Sequence, residues 1–293
     1  MKNKLKIFLL AILVITVVLS GGLLVEKTLF KDKDNDLINI SYLSEDFMDD
    51  YFKEISNANS DEEKENMLIV ISDEKIKDSY GAKKIIESPN NQYILQYSSE
   101  EEKESALEKL KEDKRIKSVE ENGIYTTEEV DYNSWGIEKM SLDYAIISAN
   151  SNSSNMQSVT VAIIDTGCDM ALFNKYYDGK ISEIYNVLEQ STTTMVDEDG
   201  HGTHIAGTIA EGTPDNVKII PIKVSRNGSM YYSDIIAAIN YIVRYEKADV
   251  INMSFGGYDY NEALNKTIES AKKKNIISVA AAGNDNTSKK HYP

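Results

Sequence analysis

From Val159 to Asn284 the chain alternates short apolar runs with helix-compatible segments, and this alternation constrains its fold more than any other feature. VTVAIID (159–165) reads as a buried strand that stops at Thr166-Gly167, and HGTHIAGTIA (201–210) reads as a small-residue helix. VKIIPIKVS is a second strand, YYSDIIAAINYIVRYEK an amphipathic helix, and ADVINMSFGG a strand running into a glycine turn. NEALNKTIESAKKKN and IISVAAAGN add one more helix and one more strand. Strands separated by helices pair in parallel, because the crossover needs the length of a helix, and loops that carry function collect at the carboxyl ends of such strands. Asp165, Ser254 and Asn284 all close apolar runs.

Upstream the pattern is different. MLIVIS (67–72) and QYILQYS (92–98) are strand candidates. SSEEEKESALEKLKED opens on serines and acids and places Ala106, Leu107 and Leu110 on one helical face, and IKSVE returns as a strand. These elements describe a small α+β, ferredoxin-like module. The first residues, MKNKLK, lead into an apolar run from Ile7 to about Val25, which has the layout of a secretory signal or an uncleaved membrane anchor. Either would carry the rest of the chain out of the cytoplasm. A charged stretch, FKDKDNDL, reads as a solvated linker.

Charge and cysteine usage narrow the function. The net charge of −16 leaves nothing to neutralise phosphates, so no nucleic-acid partner is expected. The single cysteine, Cys168, excludes an intrachain disulfide framework, and it reads as a small buried residue beside Asp165.

Two segments carry chemistry. A carboxylate at a strand end, Asp165, stands 36 residues before a glycine-flanked histidine, His201, at a helix start, a pairing that can orient an imidazole as a general base. Taken alone, IIDTG also fits the catalytic turn of aspartic peptidases, which need two such aspartates; the chain has one. HGTH has i, i+3 spacing and no glutamate between its histidines, unlike the zinc motif HExxH.

In this order and at these spacings, IIDTG, GHGTHIAGT, VINMSFGG and VAAAGN resemble the subtilisin-like serine peptidases (subtilases), and the module before them is similar to their propeptide. The resemblance implies a partial subtilisin-like parallel sheet flanked by helices, preceded by the α+β propeptide-like domain and an N-terminal hydrophobic helix. It divides the chain into a signal or anchor (1–26), a linker (27–44), an inhibitor or chaperone domain (45–130) and the N-terminal part of a catalytic domain (131–293).

By position, Asp165 would hold the imidazole, His201 would be the general base and Asn284 would donate to the oxyanion, with His204 structural. Ser254, Phe255 and Gly256 would line the primary specificity pocket, and the backbone at Gly228-Ser229-Met230 would pair with substrate as an added strand. Asp197, Glu198 and Asp199 before His201, and Asp285 after Asn284, would rim the cleft and favour basic residues in the substrate, with Asp199 meeting it.

The partners implied are a peptide or protein substrate, the chain's own propeptide-like tail near IYTTEEVDYN lying in the cleft, and a membrane at the N-terminal segment. No cofactor is expected, and no calcium site, since the loop that holds it in many relatives is absent between the histidine helix and VKIIPIKV. The family's nucleophile sits in a Gly-Thr-Ser-Met-Ala-type motif, and no such motif occurs in these 293 residues. The expectation is an exported serine endopeptidase present as an incomplete chain. One half of a split peptidase and a non-catalytic peptide-binding or inhibitory protein are the alternatives.

Overall fold

The computed structural model describes residues 45–58, 60–127, 142–150, 156–285 and 287–293. The apolar N-terminal run and the linker lie outside the described residues. Among those described, no helix is long and apolar enough to cross a membrane.

Helices α1 (Glu45–Ser56) and α2 (Asp61–Glu65) come first. Ser60 and Glu63 close α2 with a reciprocal capping box, each side chain accepting the other's backbone N–H. Strands β1 (Met67–Ser72), β2 (Lys84–Ser88) and β3 (Gln92–Gln96), helix α3 (Glu100–Glu112) and strand β4 (Ile116–Glu121) come next. The four strands form an antiparallel sheet in the order β2-β3-β1-β4. Strand β1 is buried at all six positions, which explains its unbroken apolar run. Leu68 and Val70 pack under Ala106 and Leu110 of α3, whereas Met67, Ile69 and Ile71 face the rest of the molecule. The buried face of α3 is Lys103, Ala106 and Leu110, with Leu107 only half-buried. Lys103 folds its ammonium out to Glu121 at 3.1 Å.

The chain then forms β5 (Ile124–Thr127), α4 (Leu142–Asn150), β6 (Val159–Asp165), α5 (Met170–Tyr177) and β7 (Tyr185–Asn186). Next are α6 (His201–Glu211), β8 (Val217–Lys223), β9 (Ser225–Arg226), β10 (Ser229–Tyr231) and α7 (Tyr232–Tyr245). Strand β11 (Val250–Met253), β12 (Phe255–Gly256), helix α8 (Glu262–Lys273) and β13 (Ile277–Ala280) complete the described elements. A five-stranded parallel sheet runs β13-β11-β6-β8-β7. Strand β6 lies at its centre. Its Val161 and Ile163 pack with Ile205, Ala206 and Ile209 of α6, while Ala162 and Ile164 face the cluster containing α7. All five strands point the same way, so Asp165, Ser254 and the segment after β13 share one edge of the sheet.

Helix α7 departs from its amphipathic expectation, because every residue from Tyr232 to Val243 is buried. Its outer face is covered by α1 and the first sheet, with Met48, Tyr51, Ile69 and Ile94 in one cluster with Ile235, Ile239 and Ile242. Polar groups of the first module meet the starts of α7 and α8, where backbone N–H groups lack intrahelical partners. Asn122 Oδ1 accepts the Ser233 N–H at 3.0 Å, and the Glu120 carboxylate accepts the Glu262 N–H at 3.0 Å. Lys64 Nζ lies 2.6 Å from Asp234 Oδ1, with both side chains buried. Gln92 Nε2 donates to the Ala263 carbonyl at 3.0 Å.

Candidate active site

Strand β6 delivers Asp165 to the carboxyl edge of the parallel sheet, fully buried. Helix α6 starts with His201, and its Nδ1 lies 2.7 Å from Asp165 Oδ1. That same oxygen accepts the Thr166 N–H at 2.7 Å, which holds the carboxylate to its own turn. Close approach of the turn and the helix depends on Gly202. A Cβ there would run into the carbonyl oxygen of Gly167, and the Gly202 N–H donates to Thr166 Oγ1 at 2.8 Å.

Burial works to lower the His201 pKa, but the charge and hydrogen bond of Asp165, with the charges of Asp199 and Asp197, outweigh it and leave the pKa raised. Nε2 of His201 is buried and has no hydrogen-bond partner among the described residues. The imidazole is thus held by one nitrogen and presents the other, the arrangement in which a histidine takes a proton from a nucleophile.

The three acids before His201 separate by role. Asp197 Oδ2 accepts the Thr203 N–H at 2.8 Å and the Thr203 hydroxyl at 2.6 Å, while its Oδ1 accepts the Gly200 N–H at 2.9 Å. Burial opposes its charge, yet these donors bring its pKa below the usual carboxylate value. Asp197 therefore caps the start of α6 instead of facing the cleft. Glu198 pairs with the buried Lys223 at 2.5 Å. Asp199 is exposed: its Oδ1 accepts the His201 N–H at 3.2 Å, and its Oδ2 stands 3.3 Å from where a Cβ on Gly228 would lie. Sequence spacing grouped the three because it does not show which carboxylates the helix start consumes.

The expected substrate-pairing segment is β10, and it is paired. Strand β5 lies between β10 and β12, antiparallel to both, with Met230 opposite Tyr125, Ser229 opposite Thr126, and Phe255 opposite Thr127. Tyr125 is buried, 4.6 Å from the Tyr232 ring and 6.1 Å from that of Phe255, and its hydroxyl donates to the Asp259 carbonyl at 3.0 Å. A Cβ on Gly257 would come within 2.9 Å of that ring. Ser254 is buried and its Oγ accepts from Asn252 Nδ2 at 2.9 Å. Asn284 comes directly after Gly283, which has φ +82, on the segment leaving β13, and Ala281 N–H donates to the Met253 carbonyl at 3.0 Å, joining that segment to the residue before Ser254.

Cys168 is buried among Phe173, Ala206 and Ile209, and burial pushes its thiol up to about 12, so it is a packing residue with little thiolate character. Sequence patterns do not point to His291, whose ring lies against Gly256 and Gly283, nor to α1, whose Tyr51 and Phe52 join the cluster of Tyr185 and Tyr241 only through the fold.

A parallel α/β sheet with a buried carboxylate–imidazole pair at its carboxyl edge is the layout of a hydrolase that activates a nucleophile through histidine. Residues 156–293 match the model of the subtilase family, so this region is homologous to the subtilisin-like serine peptidases and has their fold. The chain is 30% identical over 198 residues to a subtilisin-like protease of Coccidioides posadasii, covering 62% of this chain and 48% of that protein. It is 35% identical over 145 residues to the major intracellular serine protease of Bacillus subtilis, covering 44% of each. The chain spans about half the length of these curated relatives. Among solved structures, fervidolysin of Fervidobacterium pennivorans, a keratinolytic enzyme related to subtilisin, superposes with a TM-score of 0.60 at 20% identity, over 78% of this chain and 41% of that one.

Proposed function

We propose that the chain provides the acid, base and oxyanion donor of a serine endopeptidase. The observation that carries this reading is the buried Asp165–His201 pair, with Nδ1 engaged and Nε2 presented. Asp165 fixes the tautomer in which Nδ1 holds the proton and stabilises the imidazolium that forms. His201 Nε2 takes the serine proton and returns it to the leaving amine, and Asn284 donates to the tetrahedral oxyanion. The serine belongs to a Gly-Thr-Ser-Met-Ala-type segment of the kind the family carries.

Residues 45–130 act as a propeptide. Strand β5 supports this, since it occupies the lane between β10 and β12 by main-chain pairing as a substrate strand would. Gly228, Ser254, Phe255 and Gly256 then contact substrate backbone and the first specificity pocket. Asp199 lies beside the substrate position held by Thr127 and favours lysine or arginine there. The apolar run at residues 7–25 exports the protein as a signal or anchor, where it would act on extracytoplasmic peptides or proteins.

The test continues the chain through a family serine segment and treats it with a fluorophosphonate. Labelling of that serine, lost in His201→Ala, is expected. Labelling that persists in His201→Ala contradicts the base assignment, and no labelling favours a non-catalytic, peptide-binding protein.

A further inference from the structure

We propose that Lys223 is a positioning residue for the Asp165–His201 pair. Its ammonium ties the turn that carries Asp165 to the loop that carries His201, and so keeps the imidazole in the tautomer that can act as a base; the proposal deepens the peptidase reading. Strand β8 ends on Lys223, at a place that is only 5% exposed. An apolar side chain would fill that place at no electrostatic cost, whereas a buried ammonium needs partners for its charge and its donors. In the parallel register Lys223 stands opposite Asp165, and the Val224 N–H donates to the Asp165 carbonyl at 3.0 Å, which fixes the two strand ends to each other. Lys223 Nζ then donates to the Thr166 carbonyl at 2.7 Å and to Glu198 Oε2 at 2.5 Å.

These two oxygens belong to the two halves of the pair. Thr166 gives its N–H to Asp165 Oδ1 at 2.7 Å and accepts the Gly202 N–H on Oγ1 at 2.8 Å, so its orientation is felt by the carboxylate and by the first turn of α6 together. Its carbonyl lies in the peptide that leads to Gly167, which has φ +119. A glycine there leaves that peptide free to turn unless the carbonyl is held, and Lys223 holds it. Glu198 stands between Asp197, which caps α6, and Asp199, whose Oδ1 accepts the His201 N–H. Although partial burial works against its charge, the bond from Lys223 keeps Glu198 below the usual carboxylate value. One ammonium thus spans the strand-end turn and the helix-start loop.

Which nitrogen of a neutral imidazole carries the proton is set by the hydrogen bonds the ring makes. Nδ1 keeps it only while Asp165 Oδ1 stays in line at 2.7 Å, and Nε2 is then bare to receive a proton. A Thr166 peptide that turns, or a loop that drifts from β8, loosens that alignment.

The test reads the imidazole nitrogen chemical shifts of His201 in the 293-residue chain, at a pH above the His201 midpoint, in Lys223→Met, Glu198→Gln and Lys64→Met. The parent and Lys64→Met, which is destabilised at a distance from the site, are expected to hold the proton on Nδ1. Lys223→Met is expected to show a mixture of the two tautomers, and Glu198→Gln a smaller shift in the same direction. A Lys223→Met ring with the proton still confined to Nδ1, or an equal shift in Lys64→Met, overturns the proposal. If Lys223→Met does not fold, Glu198→Gln decides: a shift toward the mixture supports the clamp, and none overturns it. In the chain continued through a family serine segment, Lys223→Met should lower kcat by about 10–100-fold with KM nearly unchanged, the signature of a misplaced catalytic group. A raised KM with unchanged kcat also overturns the proposal. No hydrolysis by the parent contradicts the peptidase reading instead, and the tautomer measurement then decides on Lys223.

Discussion

Nδ1 of His201 and Oδ1 of Asp165 are 2.7 Å apart in a site that buries both side chains. The pair couples the strand β6 terminus to the first turn of α6, and the raised His201 pKa has a stability consequence. A histidine whose folded pKa lies above its unfolded value stabilises fully below the unfolded value, and the contribution is lost as pH rises through the folded one. Titration of the His201 ring by NMR should show a midpoint above that of an exposed histidine. Asp165→Asn should lower the midpoint and remove this pH-dependent part of the stability. A wild-type midpoint at or below the ordinary value contradicts the coupling.

The Lys64–Asp234 pair is buried at the junction between the first module and α7. Removing one partner leaves an uncompensated buried charge, at a cost of about 3–5 kcal/mol. Chemical denaturation of Lys64→Met or Asp234→Leu should show that loss, and the two substitutions combined should recover most of it. A double variant as unstable as the sum of the two singles would show that the charges do not act as a pair.

Tyr125 anchors β5 through its ring contacts with Tyr232 and Phe255. Truncating a buried aromatic side chain costs about 3–5 kcal/mol, and here the loss falls on the strand in the cleft. Tyr125→Ala should therefore speed hydrogen exchange at the Met230 and Tyr232 amides, which face the β5 strand, and expose residues 124–127 to limited proteolysis. Equal protection in both proteins would show that main-chain pairing alone holds β5.

Much of this was legible in sequence because the relevant signals are local. The apolar runs ending at Asp165 and Met253 are short and bounded by turn residues, and the two faces of β6 are both covered, so an unbroken run is what a central parallel strand requires. Asp165 and His201 were legible as a pair because each closes or opens a regular element. Three features were not local. The burial of α7 on all sides depends on a sheet more than 100 residues upstream. The separate fates of Asp197, Glu198 and Asp199 depend on Thr203, Lys223 and Gly228, which only the loop geometry selects. His291 approaches Gly256 and Gly283 through a bridge between Gly257 and Tyr292 that no periodicity announces.

On the proposed mechanism His201 acts as a base toward a serine, and hydrolysis measures that directly. The chain continued through a family serine segment should hydrolyse peptides, and His201→Ala should lower kcat by at least about 10⁴-fold with little change in KM, as expected when a catalytic unit loses its base. Hydrolysis at the same rate in His201→Ala, or none in the parent, would contradict it.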